Sequence, residues 1–198
     1  FYGGCGVGIL NYYIYVIIAV FIAGLMVGRT PEFFGHKVEA REVKIAALVT
    51  LLSAFLIKGF TAFACYYFVQ HGNADWAVKP SAWLNNPGYH GFSEMLYQFT
   101  STNANNGSGF EGLADNNVFW NVTGGIVMIL GRYLPIIGPL AIAGLLAGKK
   151  YIPESSGTLK ADSLTFGIMI FVVIVIITAL SYFPPLALGP IAEYFSLR

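Results

Sequence analysis

Charge is what this sequence has least of. Asp, Glu, Lys and Arg together make up 11% of its 198 residues, against about 25% in a soluble globular domain. The net charge of +1 is close to zero and argues against nucleic acid as a partner, because that recognition needs clustered basic residues. Cysteine is nearly absent: Cys5 lies in a Gly-rich stretch and Cys65 in an apolar run, and two such thiols make neither a disulfide framework nor a metal site. The three histidines share no metal-ligand spacing. No Gly-Lys-Ser/Thr phosphate loop occurs, and no aspartate stands in a soluble domain where it could be phosphorylated. ATP hydrolysis is therefore not expected of this chain. The sequence starts with Phe1 rather than Met, inside a motif. It reads as a fragment lacking its N-terminal part, so the lack of a signal peptide excludes nothing.

What is plentiful is apolar sequence. Hydrophobic residues make up 56% and mean hydropathy is +0.66, a bilayer composition rather than a large soluble core. Four stretches reach the length of about 20 residues that a helix needs to span the hydrocarbon core: residues 9–27, 45–69, 119–147 and 164–183. Lys and Arg near span ends stay on the cytoplasmic side. Arg29, Lys37, Arg41 and Lys44 follow the first span, and Lys149, Lys150 and Lys160 follow the third, so both linkers are expected in the cytoplasm. Residues 70–118, with Lys79 as their one basic residue, and the C-terminal stretch 186–198 are then expected outside.

The order of signals occurs twice: a Gly-rich polar stretch, an apolar span, then a near-copied ending. The first ending is Ala23-Gly24-Leu25-Met26-Val27-Gly28-Arg29 with Pro31-Glu32 after it; the second is Ala143-Gly144-Leu145-Leu146-Ala147-Gly148-Lys149 with Pro153-Glu154 after it. An internal repeat makes each copy a test of the other. Gly24 with Gly28, and Gly144 with Gly148, have the four-residue spacing that lets helices approach closely. The stretch His36 to Lys44 alternates in charge and reads as a helical lead-in to the second span.

Between the second and third spans, Pro87-Gly88 predicts a turn and Gly91 to Thr100 a short helix with Glu94 in its first turn. Such a helix is too short to span. It can dip into the membrane and return only where its non-helical backbone is buried in protein or lines a wet cavity. Its C-terminal end would carry partial negative charge toward the cavity, which favours a cation. Gly3-Gly4-Cys5-Gly6 and Asn105-Asn106-Gly107-Ser108 can turn successive carbonyls inward, because Gly reaches positive φ freely and Asn nearly so. A ring of neutral carbonyls replaces the water shell of a dehydrated ion and suits a monovalent cation.

Gly28-Arg29-Thr30-Pro31-Glu32, Ala40 to Lys44, Pro87 to Glu94 with its His90-Gly91-Phe92-Ser93-Glu94 centre, Asn105 to Ser108, and Ala187-Leu188-Gly189-Pro190-Ile191 resemble the channel-like A subunit of the bacterial Kdp potassium-transporting P-type ATPase. The resemblance covers the whole chain and corresponds to roughly the last third of that subunit. It implies an all-α integral membrane fold of the superfamily of potassium transporters, with four helix–pore loop–helix repeats around a central filter. Residues 1–44 would then hold the third filter strand, the following helix and a cytoplasmic linker. Residues 45–148 would be the fourth repeat, and 149–198 a linker, the final helix and an outer tail. The resemblance assigns Gly3, Gly4 and Gly6 to the third filter strand, and Asn105, Asn106, Gly107 and Ser108 to the fourth. It implies K+ as the transported ion, with no organic cofactor. The implied partners are a separate ATP-hydrolysing P-type subunit and small accessory membrane subunits, in a bacterial inner membrane.

Arg132 lies deep in the third span, about 20 Å along a helix from Phe119 at 1.5 Å per residue. A central Arg costs about 2.5 to 3.5 kcal/mol on insertion scales, so it should face protein or a wet cavity. One reading is a structural ion pair or a cap for broken-helix carbonyls; the other is a gate, a fixed charge below the filter that blocks free permeation. Lys58 can snorkel or pair with a neighbouring helix. Glu111 and Asp115 can gather cations at the outer mouth or simply be solvated. Two other readings remain open: an ATP-independent Trk/Ktr-like potassium transporter, and an assembly or scaffold protein whose glycines serve packing alone. An embedded enzyme would need paired acids, a nucleophile with its base, or metal ligands at depth, where the spans offer Arg132 and Lys58.

Overall fold

The computed structural model describes residues 4, 6–28, 31–71, 83–86, 89–153 and 163–196. In chain order the elements are α1 (Gly8–Val27), a hairpin of β1 (Glu32–Phe33) and β2 (His36–Lys37), α2 (Ala40–His71), α3 (Tyr89–Ala104), α4 (Val118–Ala147) and α5 (Leu164–Ser196). Helices α1, α2, α4 and α5 are long and apolar enough to cross a membrane. The 16 residues of α3 reach only about 24 Å at 1.5 Å per residue, short of a core about 30 Å thick. The fold is that of an all-α, multi-pass membrane protein.

The repeated glycines work mainly as helix ends. Gly28 takes the left-handed conformation at φ 70°, and its N–H reaches back to the carbonyls of Gly24 and Leu25, the usual glycine stop. A Cβ on Gly24 would lie 2.7 Å from Pro31 Cγ, so glycine there admits the chain turning back after α1. In the second copy, Gly148 N–H donates to the Gly144 carbonyl at 3.4 Å, and a Cβ on Gly144 would meet nothing within 4 Å. The close helix approach expected from this spacing is therefore not what these glycines provide among the described residues.

Contacts divide the chain into two compact units. The first comprises Phe1–Leu51 and Tyr133–Ala179. Its core gathers Ile14 and Ile17 of α1, Ala46 and Val49 of α2, Ile142 and Leu146 of α4, and Phe166 and Ile170 of α5. A Cβ on Gly138 would lie 2.4 Å from Val49 Cγ2, which fixes how closely α4 and α2 pack there. The β-hairpin turns through Phe34 and Gly35, at φ 49° and 74°, the two successive positive values of a type I′ turn. Sequence pattern did not reveal this hairpin, because two-residue strands show no periodicity. Helix α2 begins with one half of a capping box: Glu39 N–H donates to the Glu42 carboxylate at 2.7 Å. Lys149, just past α4, holds Glu42 at 2.9 Å and Glu39 at 3.2 Å, and donates to the Lys37 carbonyl at 2.9 Å. Ile152 N–H donates to the Gly35 carbonyl at 2.7 Å, with the Tyr151 ring over Gly35.

The second unit comprises Leu52–Arg132 and Leu180–Arg198. Its core is more aromatic: Leu56, Trp83, Met95, Phe99, Trp120 and Val127 are buried together. Phe119 stacks on Tyr67 at 4.5 Å and meets Trp120 edge-on at 5.1 Å, favoured geometries for aromatic pairs. Helix α5 runs on past the expected end at Phe183 to Ser196, through Pro184, Pro185 and Pro190. Each proline removes one helical hydrogen bond, a loss that membrane helices tolerate when neighbours satisfy the freed carbonyl. Gly189 makes room for α3: its Cβ would fall 2.9 Å from Ser93 Oγ.

Candidate functional site

The short helix α3 begins at Tyr89 rather than Gly91 and ends at Ala104 rather than Thr100. Glu94 consequently lies in the second turn, and the first turn holds no acid. Its carboxylate, 1% exposed, reaches back along the chain instead. It accepts from the N–H groups of Asn85 and Asn86 at 3.0 and 2.7 Å, and from the Asn86 side-chain amide at 2.7 Å. Three donors on one carboxylate form a strong, charge-assisted anchor. The expected turn at Pro87-Gly88 lies outside the described residues.

Glu94, Gln98 and Ser101 stand at i, i+4 and i+7, one stripe of a helix. All three are buried, Gln98 at 7% and Ser101 at 3%, and each grips a different part of the surrounding loop. Gln98 accepts from Phe110 N–H at 3.3 Å and donates to Asp115 Oδ2 at 3.4 Å. Ser101 donates to Asn106 Oδ1 at 2.7 Å, approaches the Ser108 hydroxyl at 3.0 Å and contacts the Ser108 carbonyl. Asn106 Oδ1 also accepts from Ser108 N–H at 3.0 Å. Sequence reasoning passed over Gln98 and Ser101, although polar residues at helical spacing inside an apolar chain were a signal.

Past Ala104 the backbone alternates in hand. Asn105 and Gly107 have φ of 53° and 78°, whereas Asn106 and Ser108 are not among the positive-φ residues. Alternation of this kind turns successive N–H groups to one side, and the carbonyls of the same peptide planes to the other. Ser108 is an exception in use, since its carbonyl contacts Ser101. The Asn105 amide donates to the carbonyl of Asn103 at 3.2 Å and to that of Met128 in α4 at 3.1 Å. Beside this strand lies a cavity of about 310 Å³, lined by Ser101, Asn105, Gly107, Ser108, Asp115 and Met128 among others.

Near the C-terminal end of α3, Asn103 is 5% exposed. Its Oδ1 has no hydrogen-bond donor among the described residues. That oxygen faces Gly131, where a Cβ would fall 2.8 Å from it and 2.7 Å from the Asn103 carbonyl, so glycine there admits the end of α3. Arg132 follows directly in α4, half-buried and engaged with other groups. Pro135 lies inside the same helix and cannot donate to the Gly131 carbonyl. Lys58 is exposed on α2.

Of the N-terminal candidates, Gly3 and Cys5 lie outside the described residues. The Gly4 carbonyl accepts from Val7 N–H at 3.3 Å, and Gly6 has φ 85°. Together they make a tight turn leading into α1.

These observations define a membrane protein in which a short polar helix and a hand-alternating Asn/Gly segment stand, in chain order, between two membrane-length helices. Residues 1–195 match the family described as the potassium-transporting ATPase A subunit, and the chain belongs to that family. Relatives named potassium-transporting ATPase potassium-binding subunit include those of Flavobacterium psychrophilum, 68% identical over all of this chain, and Parabacteroides distasonis, 63% identical over 99% of it. That of Geobacillus kaustophilus is 48% identical over the whole chain. The chain spans about a third of the length of these relatives, 35%, 34% and 33% respectively.

Proposed function

We propose that this chain is part of the potassium-binding and translocating subunit of an ATP-driven uptake complex. It selects dehydrated K+ with backbone carbonyls of loops entering from the outer face. In this reading Asn105, Asn106, Gly107 and Ser108 form one filter strand, with Gly3, Gly4 and Gly6 forming another. Residues 45–148 make one helix–pore loop–helix repeat, 1–44 the end of the preceding one, and 149–198 the closing helix with its linker and tail. ATP is hydrolysed on a partner subunit, small accessory membrane subunits complete the complex, and the location is a bacterial inner membrane.

The observation that carries this reading is the positive φ at Asn105 and Gly107 immediately past the C-terminal end of α3. The helix end contributes partial negative charge, and the strand offers neutral carbonyls beside a cavity. Arg132 fits the role of a fixed charge at the base of this strand: it is next in chain to Gly131, which touches Asn103 where α3 gives way to the strand. The names of the relatives supply potassium as the ion.

Gly107→Asp tests the reading in cells that depend on this complex for K+ uptake. A carboxylate beside the carbonyls should raise the K+ concentration for half-maximal uptake or relax rejection of Na+. Unaltered uptake kinetics and unaltered Na+ rejection would count against the filter.

A further inference from the structure

The two threonines flanking Ser101 turn their hydroxyls onto their own helix. Thr100 donates to the Leu96 carbonyl at 2.7 Å and Thr102 to the Gln98 carbonyl at 3.0 Å, the back-bonding usual for such residues in helices. Ser101 does otherwise. Its hydroxyl reaches across to Asn106 Oδ1, to the Ser108 hydroxyl and to the Ser108 carbonyl, so one buried oxygen touches both ends of the Asn106–Ser108 segment. Gly107, between those ends, has open space around it: a Cβ there would meet nothing within 4 Å. Side-chain packing at Gly107 therefore does not hold the strand in place. The hydrogen bonds from α3 do, together with the Asn106 Oδ1 contacts to Ser108 N–H and Oγ at 3.0 and 2.9 Å.

We propose that Ser101 is a specificity-determining positioning residue: it touches no ion, and it sets the spacing and register of the carbonyls that do. The proposal rests on the filter reading of Asn105 to Ser108. In the size-based account of discrimination between K+ and the smaller Na+, the carbonyls must not close in on the smaller ion. A strand tied to a rigid, buried helix through Ser101 resists that collapse.

The test measures uptake of K+, Rb+ and Na+ by the intact complex carrying Ser101→Ala, Asn106→Ala or both. Ser101→Ala should lower the preference for K+ over Na+ by about tenfold, the scale of one lost buried hydrogen bond, with the maximal K+ rate less affected. The double variant should lose less selectivity than the two single variants summed, because the Ser101–Asn106 contact is common to both changes. A fall in maximal rate with unchanged ion preference, or additive effects in the double variant, overturns the proposal. Should the alanine variant fail to reach the membrane, Ser101→Cys, of similar volume and with a weak donor, is scored by the same criteria. Gly107→Asp is run in parallel. If it relaxes selectivity while the Ser101 variants keep the original preference, the filter reading stands and the role of Ser101 falls. If none of them alters preference, both fall.

Discussion

The Asn105 side-chain amide donates to the Met128 carbonyl at 3.1 Å, so the first residue of the hand-alternating strand is tied to the backbone of α4. Asn at this position meets two requirements: it tolerates φ of 53°, and it carries an amide able to make the bridge. Asn105→Gly keeps the first and loses the second; Asn105→Leu loses both, with about 1 to 2 kcal/mol of backbone strain added. The concentration dependence of K+ uptake should show a modest rise in the half-saturating level for Gly and a much larger one for Leu. Equal behaviour of Leu and Asn would contradict the left-handed assignment.

Gly131 fixes how near the end of α3 comes to α4. An alanine methyl there would lie 2.7 Å from the Asn103 carbonyl, 2.8 Å from its Oδ1 and 3.2 Å from its Cα, and backbone atoms cannot swing aside. Overpacking of this kind costs about 1 to 3 kcal/mol. Gly131→Ala should lower the thermal midpoint of the purified complex and impair uptake, whereas Gly125→Ala, which meets nothing within 4 Å, should leave the midpoint near that of the parent.

Glu94→Ala removes the acceptor of three N–H donors of the exposed Asn85 and Asn86, a loss of about 0.5 to 1.5 kcal/mol for each hydrogen bond. Glu94→Gln keeps one acceptor oxygen and should fall between. Subunit abundance in the membrane should therefore rank Glu, Gln, Ala. If Glu94→Ala instead preserved abundance and altered only K+ affinity, the carboxylate would be acting on the ion rather than anchoring the loop.

The positions of the spans could be read from hydropathy, because a bilayer demands long apolar runs, and the short helix from the turn signal in the break between them. Where α5 ends could not: prolines at 184, 185 and 190 signal a stop in water, yet the helix continues to Ser196. The sequence predicts Glu94 in a first turn, where acid suits the dipole, but the helix starts earlier and the carboxylate caps the preceding segment. The Lys149 contacts to Glu39 and Glu42 join residues more than a hundred positions apart, which no local pattern records. That the Ser101 hydroxyl crosses to Asn106 and Ser108 while its neighbours bond back to their own helix has no signal in the sequence.

Arg132→Ala should change ion flux through the complex without removing the subunit from the membrane, as expected of the gate proposed above. Flux is measured in vesicles, and assembly by co-purification of the proposed ATP-hydrolysing partner. Parallel loss of both would assign Arg132 a structural role.

The most direct measurement is a map of the intact complex in K+, repeated with Tl+ for its stronger scattering. The account predicts cation density against the carbonyls of Asn105 to Gly107, with the Gly4 segment contributing oxygens to the same path. A well-ordered strand with no cation beside it, or an ion held elsewhere by carboxylates, would contradict the account.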